Sequence, residues 1–128
     1  RCDAFVSGMK LFVTDADAYF CPDVMVTGDE RDRRAELAIE HPRLVVEVLS
    51  DSTAAYDRGV KFAAYRKLAD LREYLLVDID QRRLELYRRE AGHWILLESE
   101  GDGPALRLES VDMTLAPAEA FEDLDENA

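Results

Sequence analysis

Two short apolar runs, Leu44-Val45-Val46-Glu47-Val48-Leu49 and Tyr74-Leu75-Leu76-Val77, do most to limit what this chain can become. Each is rich in Val and Leu and nearly unbroken, the pattern of a strand covered on both faces. The segment between them has a different period. Ser50-Asp51-Ser52-Thr53 offers side chains able to cap a helix, and residues 54–71 carry Tyr56, Val60, Ala63, Ala64 and Leu68 at helical intervals. Strand, helix-length crossover and strand together describe a parallel pair, since the connection is long enough to return in the same direction.

Glu47 interrupts the first run. An ionised carboxylate in such a strand costs several kcal/mol unless a cation or a set of donors compensates it. One answer is an ion pair with Arg or Lys. The other is a metal. Asp23 lies in a second apolar segment, Pro22-Asp23-Val24-Met25-Val26, and carboxylates on neighbouring strands about 4.8 Å apart can share a hard cation such as Mg²⁺ or Mn²⁺. On the residues alone both readings stand.

The rest of the chain fits around this unit. Residues 9–13 and 23–27 read as strands joined by the acidic turn Thr14-Asp15-Ala16-Asp17, and residues 28–40 as a charged surface loop with helical character at 34–39. After Asp78 a turn at Asp80-Gln81 leads to a hairpin strand at 84–87. A further strand at 94–97 follows the Gly92 turn, then a short edge strand at 105–108 and a terminal helix at 117–124 with Pro117 in its first turn. The fold class is α/β or α+β, a mixed sheet flanked by helices, in one domain of 128 residues.

Composition narrows the function. No apolar run approaches the ~20 residues needed to span a bilayer, and no segment has the order of a signal peptide, so the expectation is a soluble cytoplasmic protein with no membrane partner. Cys2 and Cys21 have no zinc spacing and read as free thiols, with a bridge between them left open. The net charge is −12, yet residues 98–128 hold ten acids against Arg107 alone, a net of −9, which leaves −3 for the first 97 residues. Basic clusters at Arg31, Arg33, Arg34, at Arg66, Lys67, Arg72 and at Arg82, Arg83, Arg88, Arg89 allow weak, salt-sensitive contact with DNA but form no dedicated basic face. A homodimer is compatible with this composition. His41, His93 and Trp94 read as surface or packing residues, and Asp15, Asp17, Asp78 and Asp80 as turn residues.

Lys61 can be tested by depth. From Glu47 the strand runs on for about 10 Å at 3.3 Å per residue, and a helix starting near Ser52 returns about 14 Å by Lys61 at 1.5 Å per residue, so the two end at similar depth. Asp57, Lys61 and Tyr65 follow at i, i+4, i+8 and share one helix stripe. Asp57 with Lys61 also reads as an ordinary exposed ion pair, and Tyr65 as packing.

The ordered series Pro22-Asp23, Pro42-Arg43-Leu44-Val45-Val46-Glu47-Val48-Leu49-Ser50, Ser52-Thr53, Asp57-Arg58, Lys61, Tyr65 and Glu73-Tyr74-Leu75-Leu76-Val77-Asp78 resembles the Uma-two family of restriction-endonuclease-like proteins, within the PD-(D/E)XK nuclease superfamily. The resemblance runs from about Tyr19 to Arg89. It implies a restriction-endonuclease-like fold and a Mg²⁺- or Mn²⁺-dependent DNA endonuclease with Asp23 and Glu47 as metal ligands. The superfamily's Lys belongs two residues after the Glu, where this chain has Leu49; the resemblance implies that Lys61 supplies the cation from the following helix. Tyr65 would donate to phosphate or orient Lys61, and Ser50 would support the site. The family's N-terminal helical region has no counterpart before Arg1, so the chain reads as a fragment. The competing function is a catalytically inert nuclease-fold module that binds a partner.

Overall fold

The computed structural model describes residues 2–6, 9–35 and 37–122. Its strands and helices in chain order begin with β1 (Asp3–Val6), β2 (Leu11–Val13), β3 (Ala18–Phe20), β4 (Val24–Thr27), α1 (Glu30–Arg33) and β5 (Leu44–Leu49). A helical crossover follows, made of α2 (Ala54–Tyr56), a π-helical segment (Asp57–Lys61) and α3 (Phe62–Tyr65). The chain then runs through β6 (Glu73–Asp78), β7 (Arg83–Glu90), β8 (His93–Glu100), β9 (Leu106–Leu108), β10 (Met113–Leu115) and α4 (Pro117–Ala120). Six strands form one mixed sheet in the order β1-β4-β5-β6-β7-β8.

The two apolar runs become β5 and β6, parallel from Leu44 opposite Glu73 to Leu49 opposite Asp78; the other pairs in this sheet are antiparallel. Alternation along these strands divides the molecule into three layers. On one face Val45, Leu49, Tyr74 and Leu76 pack against Phe62, Tyr65 and Leu68 of the crossover and against Leu11 and Val13. On the other, Leu44, Leu75, Leu84 and Leu86 pack against Leu106, Leu108 and Phe121. The register places Glu47 with Val45 and Leu49, on the face that the crossover covers.

Three differences from the sequence reading have physical causes. Residues 9–13 do not join 23–27 in the main sheet. Leu11–Val13 pairs instead with Ala18–Phe20 around a 3-10 turn at Thr14–Ala16, closed by Asp17 in the left-handed conformation (φ 49°), and the hairpin lies on the sheet with Leu11 and Val13 fully buried. The helical crossover ends at Tyr65 rather than Leu71. Six strand residues span about 20 Å and the twelve residues from Ala54 to Tyr65 about 18 Å, so the helix has recrossed the strand and must turn back. The turn is tied by the amides of Arg72 and Glu73, both donating to the carbonyl of Arg43 (2.9 and 3.1 Å). Finally, the helical turn lies at Glu30–Arg33 rather than at 34–39, because the Asp29 side chain caps it, accepting from the Arg31 amide at 2.8 Å, while Ile39 forms a parallel bridge with Leu11.

The terminal helix runs from Pro117 to Ala120, and the rest of the expected span to 124 lies partly outside the described residues. β9, β10 and α4 cover the sheet face opposite Glu47, so the described part of the acidic C-terminal region beyond β8 is separated from it by the sheet. Cys2 and Cys21 are free and exposed. No helix of the described residues is long and apolar enough to cross a membrane.

Candidate metal centre

The site grows out of the end of a ladder. β4 and β5 pair antiparallel up to Val24 opposite Val46, and one step further the same register sets Asp23 opposite Glu47, on a shared face. There side chains take over from backbone groups. The Asp23 amide donates to Glu47 Oε1 at 3.0 Å, and the Val48 amide donates to Asp23 Oδ2 at 2.7 Å. Each acid thus satisfies an amide that would otherwise be orphaned at the strand end, which fixes both carboxylates to the sheet.

The crossover brings the cation. Lys61 donates to Glu47 Oε2 and lies 3.1 Å from Asp57 Oδ1, so one ammonium bridges two carboxylates. Its ammonium also sits 5.6 Å from the centroid of the half-exposed Tyr56 ring. Asp57 and Lys61 are the two ends of the π-helical segment, a form that recurs as short bulges at functional sites. Asp57 is not the exposed pair partner the sequence suggests: its side chain is 3% exposed and Oδ1 has no hydrogen bond. The i, i+8 stripe could have shown this, since a core-facing Tyr65 turns Asp57 inward as well.

Burial pushes the Glu47 carboxyl above its ordinary range; Lys61 and the Asp23 amide oppose this but do not cancel it, and Asp57 adds to it. Burial pulls Lys61 down, and its bonds to Glu47 and Asp57 outweigh that and hold it above its ordinary value. A single cation shared between two buried carboxylates leaves them under-compensated.

Tyr65 is fully buried, packed at 5.2 Å from the Phe20 ring and 5.3 Å from the Tyr74 ring, and its hydroxyl has no hydrogen-bond partner. Burial first and then the charge of Glu47 raise its pKa far above the ordinary range. Ser50 is exposed, and its hydroxyl bonds Ser52 and Thr53 at the helix entrance (3.2 and 2.8 Å). Neither bond reaches Asp23 or Glu47.

Asp23, Glu47 and Asp57 carry three negative charges against one on Lys61, a residual of −2. Glu47 has one oxygen on an amide and one on Lys61, while Asp23 keeps Oδ1 without a protein partner among the described residues. Hard carboxylate oxygens with a deficit of two positive charges suit a divalent cation such as Mg²⁺ or Mn²⁺.

Among the described residues one group of three ligand-type side chains, Asp29, His41 and Asp70, has its ligand atoms within 4.8 Å of one another, and Asp23, Glu47 and Asp57 are not gathered so closely; the group lies in a groove at the opposite end of β5, also lined by Arg43 and Arg72. Residues this far apart in sequence gave no signal before folding. The group already has a cation, because Arg31 grips Asp29 at 2.9 and 2.6 Å and lies 3.8 Å from Asp70, while His41 Nδ1 is 2.9 Å from Asp70. Asp78 serves its turn as expected, accepting from the Gln81 amide at 3.1 Å. Trp94 packs edge-on against Phe62 and under Arg89.

Comparison with known proteins agrees with this architecture. The fold is a mixed sheet with a parallel centre, crossed by one helix over a pair of carboxylates. The Uma2 family model, described as "Putative restriction endonuclease", matches residues 1–118, and the chain belongs to that family. Two uncharacterized proteins of Synechocystis sp., slr1290 and sll1609, are 40% identical over 116 residues and 39% identical over 103 residues, covering 90% and 78% of this chain. The chain spans 60% and 58% of their lengths. The crystal structure of a putative nuclease belonging to DUF820 from Anabaena variabilis superposes with a TM-score of 0.74 over 94% of this chain and 68% of that one, at 18% identity, a likeness of fold.

Proposed function

We propose that this domain hydrolyses phosphodiester bonds in DNA with a divalent metal, Mg²⁺ or Mn²⁺, held by Asp23 and Glu47. The observation that carries the reading is the exchange of hydrogen bonds between these two acids at one strand end, with Lys61 in contact with Glu47. Family membership supports the same class of reaction.

When bound, the metal lowers the pKa of a coordinated water and offsets charge on the phosphorane-like transition state. The chain's own residues do the rest. Asp23 and Glu47, pinned by the amides of Val48 and Asp23, supply ligands whose orientation is set by the sheet. Lys61 carries a fixed positive charge for the attacking water or a nonbridging oxygen. Tyr65 supports the helix stripe that aims Lys61, and donates to phosphate only if the core around it opens. The sheet keeps the β9–α4 layer away from the phosphate backbone, and the remaining surface makes weak, salt-sensitive contact with DNA. A DNA substrate and two free thiols fit a cytoplasmic protein.

The test is nicking of supercoiled plasmid with Mg²⁺ or Mn²⁺. Asp23→Asn, Glu47→Gln and Lys61→Ala should each lower the rate by at least ~100-fold, the scale for removing one charge-stabilising group. Full activity in both carboxylate variants would end the assignment. Absence of cleavage by the unaltered protein under every metal would favour an inert binding module built around a Glu47–Lys61 ion pair.

A further inference from the structure

Of the three buried side-chain atoms without a hydrogen-bond partner among the described residues, two lie on the stripe that faces Glu47: Asp57 Oδ1 and Tyr65 Oη. A buried carboxylate oxygen whose one cation is shared with another acid is under-compensated, and an inward tyrosine hydroxyl left unbonded on the same stripe is a further cost. Native structures keep such groups where something else completes them. Here Lys61 forms an ion pair with Asp57 Oδ1 at 3.1 Å, without a well-aligned hydrogen bond, and its ammonium holds the place of a cation between Asp57 and Glu47.

We propose that Asp57 is a third carboxylate of the metal centre and that Lys61 is its occupant in the metal-free protein, displaced from between Asp57 and Glu47 when the divalent cation binds. The inference rests on the metal-dependent reading above and goes beyond it in two respects. It gives a ligand role to a residue that otherwise pairs with a lysine, and it makes the lysine a competitor of the metal before it is a partner of the substrate. The charge balance agrees. Three carboxylates against a divalent ion leave −1, and the released ammonium brings the centre to zero, so entry of the metal and freeing of Lys61 toward the phosphate are one event. Asp57 and Lys61 stand at the two ends of a π-helical segment, a form that recurs at functional sites.

The experiment is Mn²⁺ binding to the intact chain without DNA, by calorimetry and by loss of the free-ion electron paramagnetic resonance signal, with thermal melts of each variant. Asp57→Asn should weaken Mn²⁺ at least tenfold. Lys61→Met should tighten it severalfold and enlarge the rise in melting temperature that Mn²⁺ produces, since a competing cation is gone and two buried carboxylates remain. Asp57→Asn binding within twofold of the parent, while Asp23→Asn and Glu47→Gln lose binding, would overturn the proposal and leave the metal-dependent reading intact. Unchanged or weaker binding by Lys61→Met overturns it as well, and needs no folded Asp57 variant. If neither Asp23→Asn nor Glu47→Gln alters Mn²⁺ affinity, the underlying reading fails first.

Discussion

Glu47 and Glu73 sit on adjacent strands, both 1% exposed, and the molecule treats them in opposite ways. Glu73 points to the face covered by the C-terminal layer and is saturated with donors. Arg88 donates to it at 3.1 Å, the Ser110 hydroxyl at 2.5 Å, and the amides of Ser110 and Glu109 at 2.8 and 3.3 Å. Asp32 follows the same pattern, accepting from the Thr27 hydroxyl and the amides of Glu40 and His41 at 2.7, 2.9 and 3.0 Å. Glu47 has one amide and a lysine it must share with Asp57. A buried acid that serves the fold is surrounded by donors of its own; a buried acid left short of them is available to a ligand.

The largest expected effect lies at the saturated site. Glu73→Ala leaves the Ser110 hydroxyl without its acceptor and Arg88, 13% exposed, with only the Arg107 carbonyl and Glu109, and should cost about 3 kcal/mol in urea denaturation, the low edge of the range for breaking a buried ion pair from one side. A loss below ~1 kcal/mol would mean that water replaces the carboxylate there, and the contrast between the two acids would weaken. Next comes Tyr65→Phe, which removes an orphaned hydroxyl and keeps the ring. It should stabilise the metal-free chain by about 1 kcal/mol, whereas a destabilised variant would reveal a bond to the hydroxyl that binds Tyr65 into the fold.

The smallest stability change is expected at Glu47 itself. Glu47→Gln relieves a desolvated charge, and Lys61 keeps Asp57 as its partner, so the melting temperature of the metal-free chain should stay level or rise, a change within about 0.5 kcal/mol. Metal affinity should fall sharply in the same variant. A loss of stability on the scale of Glu73→Ala, with metal affinity unchanged, would make Glu47 a second structural acid and erase the distinction.

The pattern of residues exposed one of these acids before folding and hid the other. Glu47 stands inside an apolar run, where a charge is conspicuous. Glu73 stands at the start of one, where a charge looks like an ordinary strand boundary, and its main donors come from Ser110, 37 residues away. Lys61 was legible because strand and helix rises alone bring it level with Glu47, and the contact follows that arithmetic. The β2–β3 hairpin was not, because three-residue strands carry too little alternation, and a left-handed Asp17 is not distinguished by residue type from a solvated turn aspartate. The burial of Asp57 was only half hidden: an Asp four residues before a Lys looks the same whether the helix face is wet or buried, and Tyr65 on the same stripe is the signal that tells them apart.

The parallel pairing of β5 with β6 at the centre of the sheet gives the candidate site two separate supports. Glu47 lies one step past the β4–β5 ladder but stays paired with Leu76 of β6, so its backbone belongs to the central sheet. Lys61 belongs to a different element, the π-helical segment of the crossover, and reaches the acids from outside the sheet. In the proposed reaction, acids set by the sheet and a cation carried by the crossover would divide two demands between two elements: holding an ion still, and letting a strand of phosphates in and out.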